Sequence, residues 1–136
     1  NKIKAKNYPV RAYYGDPAGM QAQGQSGLGD IEIFRRSGIN VRSIRDKTSR
    51  NIASGISHIR GYVENANGNR YLHLDRKCMG LAEDLENYRY PEAIENKDLK
   101  PEPLKDGRHD HGCDMLRYFF INQFPIKRNK LIMRTR

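Results

Sequence analysis

The sequence predicts an α/β domain with a mainly parallel central sheet flanked by helices. Three observations carry that expectation. Short runs rich in Val, Ile and Tyr alternate with segments whose apolar residues recur at helical spacing. Glycine- and proline-rich stretches separate several of these runs and supply the turns. Hydrophobic residues make up 37% of 136, which suits one modest core and a single domain.

The elements follow in order. Residues 1–9 are polar and basic and read as a flexible terminus. Val10 to Gly15 forms a first strand that stops at Asp16-Pro17. Gly19, Gly24, Gly27 and Gly29 mark a flexible loop. A helix begins near Asp30, which can cap it; Ile31 and Phe34 point one way and Gly38 stops it. Ile39 to Ile44 alternates as a second strand. Thr48 or Ser49 caps the next helix, in which Ile52, Ile56, Ile59 and Val63 make one apolar stripe. Asn67-Gly68 is a turn, and Tyr71 to Leu74 is a third short strand. Met79 to Tyr88 is helical in pattern, and Pro91 to Gly107 is a long polar loop. Asp110 then caps a final helix that lies across the sheet and runs to about Phe124, before Pro125. Three strands make a narrow sheet. With Asn1 as the first residue, this leads to the expectation of a chain truncated on its N-terminal side.

The charge is lopsided, with 25 Lys plus Arg against 16 Asp plus Glu, or +9. That balance favours a polyanionic partner, because neutralised phosphates release counterions. Many small soluble domains are simply basic, so charge alone does not decide. Lys127, Arg128, Lys130, Arg134 and Arg136 place part of the excess in a basic tail, residues 125–136. No apolar run approaches the roughly 20 residues of a membrane span, and no signal-peptide pattern is present. Cys78 and Cys113 are too few for a disulfide framework and fit a reducing cytosol.

Two places can carry chemistry. Asp16 follows the first strand, and ligands of open α/β sheets gather at the carboxyl ends of strands; an Asp before Pro is equally a turn former. On the final helix Asp110 and Asp114 are four apart and His111 and Asp114 three apart, so all three can share a face. Such a group can hold a hard divalent ion. Acids also favour helix N-termini through the dipole. Zinc on His109, His111, Cys113 and Cys78 is disfavoured, because no C-x-x-C half is present and alternate helical residues diverge. The run Gly24 to Gly29 lacks the Lys-Ser/Thr of a P-loop. Ser26 and Cys113 have no partner pattern of a nucleophile. Lys47, after the second strand, sits on the same edge as Asp16 and can touch a phosphate or simply be a loop lysine.

Taken together, these pieces resemble the C-terminal nuclease domain of the large terminase subunit of tailed bacteriophages. Tyr14-Gly15-Asp16-Pro17-Ala18 looks like that family's second acidic motif. Ile31 to Val41 is similar to the helix–glycine–strand unit after it, and Asn51 to Ile56 resembles a helix start just past a lysine like Lys47. Leu74 to Cys78 and Glu83 to Tyr88 look like its stretch of Cys, acidic helix and Tyr. Asp110-His111-x-x-Asp114-x-x-Arg117-Tyr118 closely follows the third acidic motif. The resemblance spans about residues 10–124 and implies a ribonuclease H-like fold, with Asp16 and Asp114 as catalytic metal ligands, Asp110 as a second acid or a cap, and His111 beside them. It implies two Mg²⁺ or Mn²⁺ ions on the scissile phosphate of double-stranded viral DNA. It implies a catalytic role for His111 as a metal-adjacent ligand or proton carrier, an ATPase domain, a small terminase subunit and a portal as partners, and the host cytoplasm as location. Lys47, Lys127, Arg128 and Lys130 are then candidates for DNA contact, and Arg117 for an ion pair that anchors the helix.

One departure is plain: Asn1 to Gly15 contains no Asp or Glu, so the family's first acidic motif is missing. The expectation is that this chain binds metal poorly and cleaves slowly or not at all. Two alternatives stand beside this reading. One is a basic DNA-binding module without catalysis. The other is a different ribonuclease H-like enzyme of the resolvase or integrase kind.

Overall fold

The computed structural model describes residues 2–22, 27–44, 51–91 and 102–126. In chain order it contains α1 (Lys2–Ala5), β1 (Tyr13–Tyr14), a 3-10 turn (Pro17–Met20), α2 (Asp30–Arg36), β2 (Val41–Arg42), α3 (Ile52–Val63), α4 (Met79–Asn87) and α5 (Asp110–Gln123). Strands β1 and β2 run parallel, with Tyr13 opposite Val41 and Tyr14 opposite Arg42. The chain is therefore mixed α/β, with a small parallel sheet. Parallel strands need a crossover, and the 3-10 turn with α2 supplies it.

Helix α2 behaves largely as its sequence implies. Glu32 pairs with Arg35 and Arg36 on its outer face, and Gly38, at φ 73°, takes the left-handed conformation that ends it. The residue before the first turn is Gly29, so Asp30 opens the helix rather than capping it. The residues expected to be loose at the N-terminus include the single turn α1. Lys4 donates from Nζ to the Ser37 carbonyl at 2.8 Å, a favourable place for a cation beside the C-terminus of α2.

The cap expected from Thr48 or Ser49 lies outside the described residues. Within them, Asn51 accepts from the Ser54 N–H at 2.9 Å and starts α3. Ile52, Ile56 and Ile59 are half-buried, whereas Val63 is exposed. The closest approach to α5 is at Gly55. A Cβ there would stand 2.7 Å from Cδ of Arg117, so only glycine lets the Arg117 stem lie across α3.

The expected third strand is absent. Asn65 accepts from the N–H groups of Asn67 and Asn69 and folds the chain back on α3. Tyr71 and Leu72 then both donate to the Tyr62 carbonyl. An orphan carbonyl in the last turn of α3 therefore takes the hydrogen bonds that a sheet partner would have taken. Among the described residues no strand lies beside Tyr71 to Leu74 to pair with it.

Helix α5 organises the rest. Among the described residues the buried hydrophobic side chains are Ile39 and four residues of α5: Cys113, Leu116, Phe120 and Ile121. Helices α3 and α4 pack against α5, and α5 also packs on β1. There Tyr14 meets Phe119 edge-on at 5.7 Å and donates its hydroxyl proton to Gln123 Oε1. Tyr62, Phe119, Phe120 and Phe124 form an aromatic cluster with centroid separations of 4.9–6.0 Å. No helix among the described residues is long and apolar enough to cross a membrane.

Candidate functional site

The residues singled out by the sequence fall into two groups, one beside an open cleft and one at the start of α5. The first is Asp16, one residue past the hydrogen bond that Gly15 N–H gives to the Arg42 carbonyl at the end of the sheet. Asp16 is exposed and accepts from the Ala18 N–H at 2.8 Å, so it caps the 3-10 turn. Asp16 therefore shapes a turn, and it sits at the carboxyl end of a parallel strand. Across from it stand Arg117 and Tyr118 of α5. With Pro17, Ala18, Gln21 and Ile52 they line an open cleft of about 370 Å³.

The second feature is the start of α5. Asp110 is the first helical residue and does not act as the side-chain cap that its position implied. Acceptors from elsewhere in the chain take over. Asp106 accepts from the N–H groups of Arg108 and His109 and holds the His109 ring. Asp84 on α4 reaches across to accept from the Gly112 N–H at 3.1 Å. A cap from a separate helix leaves no local sequence mark, so spacing alone does not reveal Asp84.

Asp114 lies behind Arg117. One carboxylate oxygen accepts from Arg117 at 2.9 Å, and the other meets the Lys105 ammonium. The guanidinium of Arg117 lies 4.5 Å from the Tyr118 ring centroid. Arg117 is thus the helix anchor that the sequence allowed, with little surface left for DNA. The sequence gives no sign of Lys105, because a lysine in a proline-bearing loop carries no local mark of its ion pair. His111 is exposed, whereas Asp110 is buried and Asp114 half-buried. No polar contact among the described residues joins His111 to Asp16 or Asp114. Lys47, Lys127, Arg128 and Lys130 lie outside the described residues.

The electrostatics follow from this packing. Burial pushes the Asp114 carboxyl up, but hydrogen bonds from Lys105 and Arg117 outweigh it and hold the group below the usual range. Burial also pushes the Tyr88 hydroxyl up to about 12, aided by the charge of Asp114. The Tyr118 hydroxyl is raised by burial; Arg117 opposes this and Asp16 adds to it. The Cys113 thiol is pushed up to about 11 by burial and by Asp84, which makes it an inert core residue, not a nucleophile.

A pH dependence follows from Asp114. A carboxylate with a lowered folded value stabilises the native state above its unfolded value, near 3.8. That contribution is lost as pH falls through the lower folded value. Acid unfolding followed by circular dichroism should therefore steepen below about pH 4, and Asp114→Asn should flatten this limb. An unchanged limb in the variant would place the acid sensitivity elsewhere.

Among the described residues, no three His, Cys, Asp or Glu side chains come together closely enough to hold a metal ion. Asp114 has given both oxygens to cationic side chains, and Asp16 has given one to a backbone N–H. As arranged, the donors do not fit a pair of divalent ions. No family model, curated protein or solved structure matches the chain.

Proposed function

We propose that this chain belongs to the nuclease part of a viral DNA-packaging terminase, with a ribonuclease H-like architecture, and acts on the backbone of double-stranded DNA. The observation that carries the reading is the cleft at the end of β1, where Asp16 faces the Arg117–Tyr118 step of α5. Two motifs about 100 residues apart in the sequence thereby border one surface. The order of the five sequence pieces supports the reading, as does the charge of +9. Catalysis by this chain is slow, because the carboxylates available to a divalent ion are few.

The test is nicking of supercoiled plasmid in Mn²⁺. Slow nicking is expected, abolished by EDTA and by Asp16→Asn. Salt-sensitive DNA binding with no nicking at all would establish the non-catalytic module instead. A marked preference for four-way junctions over linear or supercoiled DNA would favour a resolvase-like enzyme.

A further inference from the structure

Helices α3 and α4 both pack on α5, yet they leave a cavity of about 160 Å³ lined by residues of all three. Cys113 and Leu116 of α5 are its buried floor. Ile56 and Ile59 of α3 are half-buried walls, and Val63 and Leu85 stand at the mouth, 49% and 36% exposed. The space is close to the roughly 150 Å³ that accepts a benzene ring when lined by apolar side chains. A drug-sized ligand needs roughly 300 Å³ or more, so only a fragment fits.

The polar groups on this cavity favour an anion. Arg60 and Arg117 are its charged lining residues, and no acid is among them. Arg117 is committed to Asp114. Arg60 is exposed, and its guanidinium has no ion pair or hydrogen bond with another described residue. Tyr88 also lines the cavity, and its hydroxyl, pushed up to about 12 by burial, stays protonated at neutral pH and can donate. The charge of Asp114 reaches Tyr88, but Lys105 and Arg117 already offset it.

We propose that this cavity binds a small carboxylate whose apolar body is an aromatic ring or a short chain. The body fills the space over Cys113 and Leu116, and the carboxylate meets the Arg60 guanidinium at the mouth. The planar fork of a guanidinium matches a carboxylate through two parallel N–H donors. A neutral ligand of the same shape gains only the apolar contact. Apart from Arg117, no residue that lines this cavity lines the cleft beside Asp16. The site therefore stands apart from the nuclease reading.

The experiment titrates the full chain with benzoate, benzyl alcohol and acetate at neutral pH, followed by amide nitrogen–proton correlation spectra. Benzoate should give saturable shifts at Ile59, Val63 and Leu85, with affinity about 3- to 10-fold above that of benzyl alcohol. Acetate, which has no body to fill the cavity, should give none. Arg60→Gln should bring benzoate down to the affinity of benzyl alcohol and leave benzyl alcohol unchanged. Val63→Trp, placed at the exposed mouth, should block entry of both, and its own spectrum reports whether the fold is kept. Benzyl alcohol that binds wild type as tightly as benzoate would overturn the proposal. So would an absence of saturable shifts with benzoate, or benzoate binding that Arg60→Gln leaves unchanged or that survives Val63→Trp.

Discussion

Phe120→Ala is expected to cost about 3–5 kcal/mol of stability, the range for truncating a buried aromatic in a packed core. Phe120 is 3% exposed and sits inside the aromatic cluster, with Tyr62 at 4.9 Å, Phe124 at 5.5 Å and Phe119 at 5.6 Å. Its loss removes dispersion contacts on several sides, and the rings around it come from α3 and from α5 with the residue that caps it, which cannot both collapse inward. Small domains have roughly 5–15 kcal/mol in total, so the variant should lie near its unfolding threshold at 25 °C. Urea denaturation will show this as a large drop in midpoint. A loss below about 1 kcal/mol would mean that the cluster is not a close-packed core.

Arg117→Met is the second large effect, about 3 kcal/mol. Methionine keeps an unbranched stem to lie against Gly55 but cannot pair with Asp114. Breaking a buried pair from one side leaves the other charge poorly compensated. Lys105 still meets Asp114, which places the expected loss at the lower end of that class. The double variant Arg117→Met/Asp114→Leu should recover much of the loss, because an apolar pair of similar size leaves no stranded charge. If the double variant is no better than the single, the cost lies in packing at Gly55 and not in the ion pair.

Local pattern made much of the fold legible. Helices beginning near 30, 52, 79 and 110 each carry their own apolar spacing, and Gly38 ends α2 at the residue its conformational freedom implied. The strands were found in place but overlong, because Val10 to Gly15 and Ile39 to Ile44 give only two paired residues each. Tyr71 to Leu74 failed as a strand for a tertiary reason: its donors found the end of α3 before any sheet. The site divides in the same way. Asp16 at a strand end and Asp114 inside a helix are positions that sequence spacing can assign. The caps from Asp84 and Asp106 and the counter-ion Lys105 depend on how separate segments meet. A helix start rich in acids looks like a ready metal site until the lysine that neutralises it is seen.

Asp16 offers the most direct test that DNA lies along the cleft. Asparagine at this position keeps an oxygen for the Ala18 N–H, so Asp16→Asn should leave the turn intact. It removes one negative charge from the proposed phosphate path. In EDTA at low salt, fluorescence anisotropy with a labelled duplex should show about 3- to 10-fold tighter binding by the variant. The difference should shrink as salt is added. Unchanged or weaker binding by Asp16→Asn, with the fold preserved, would mean that DNA does not pass the carboxyl end of β1.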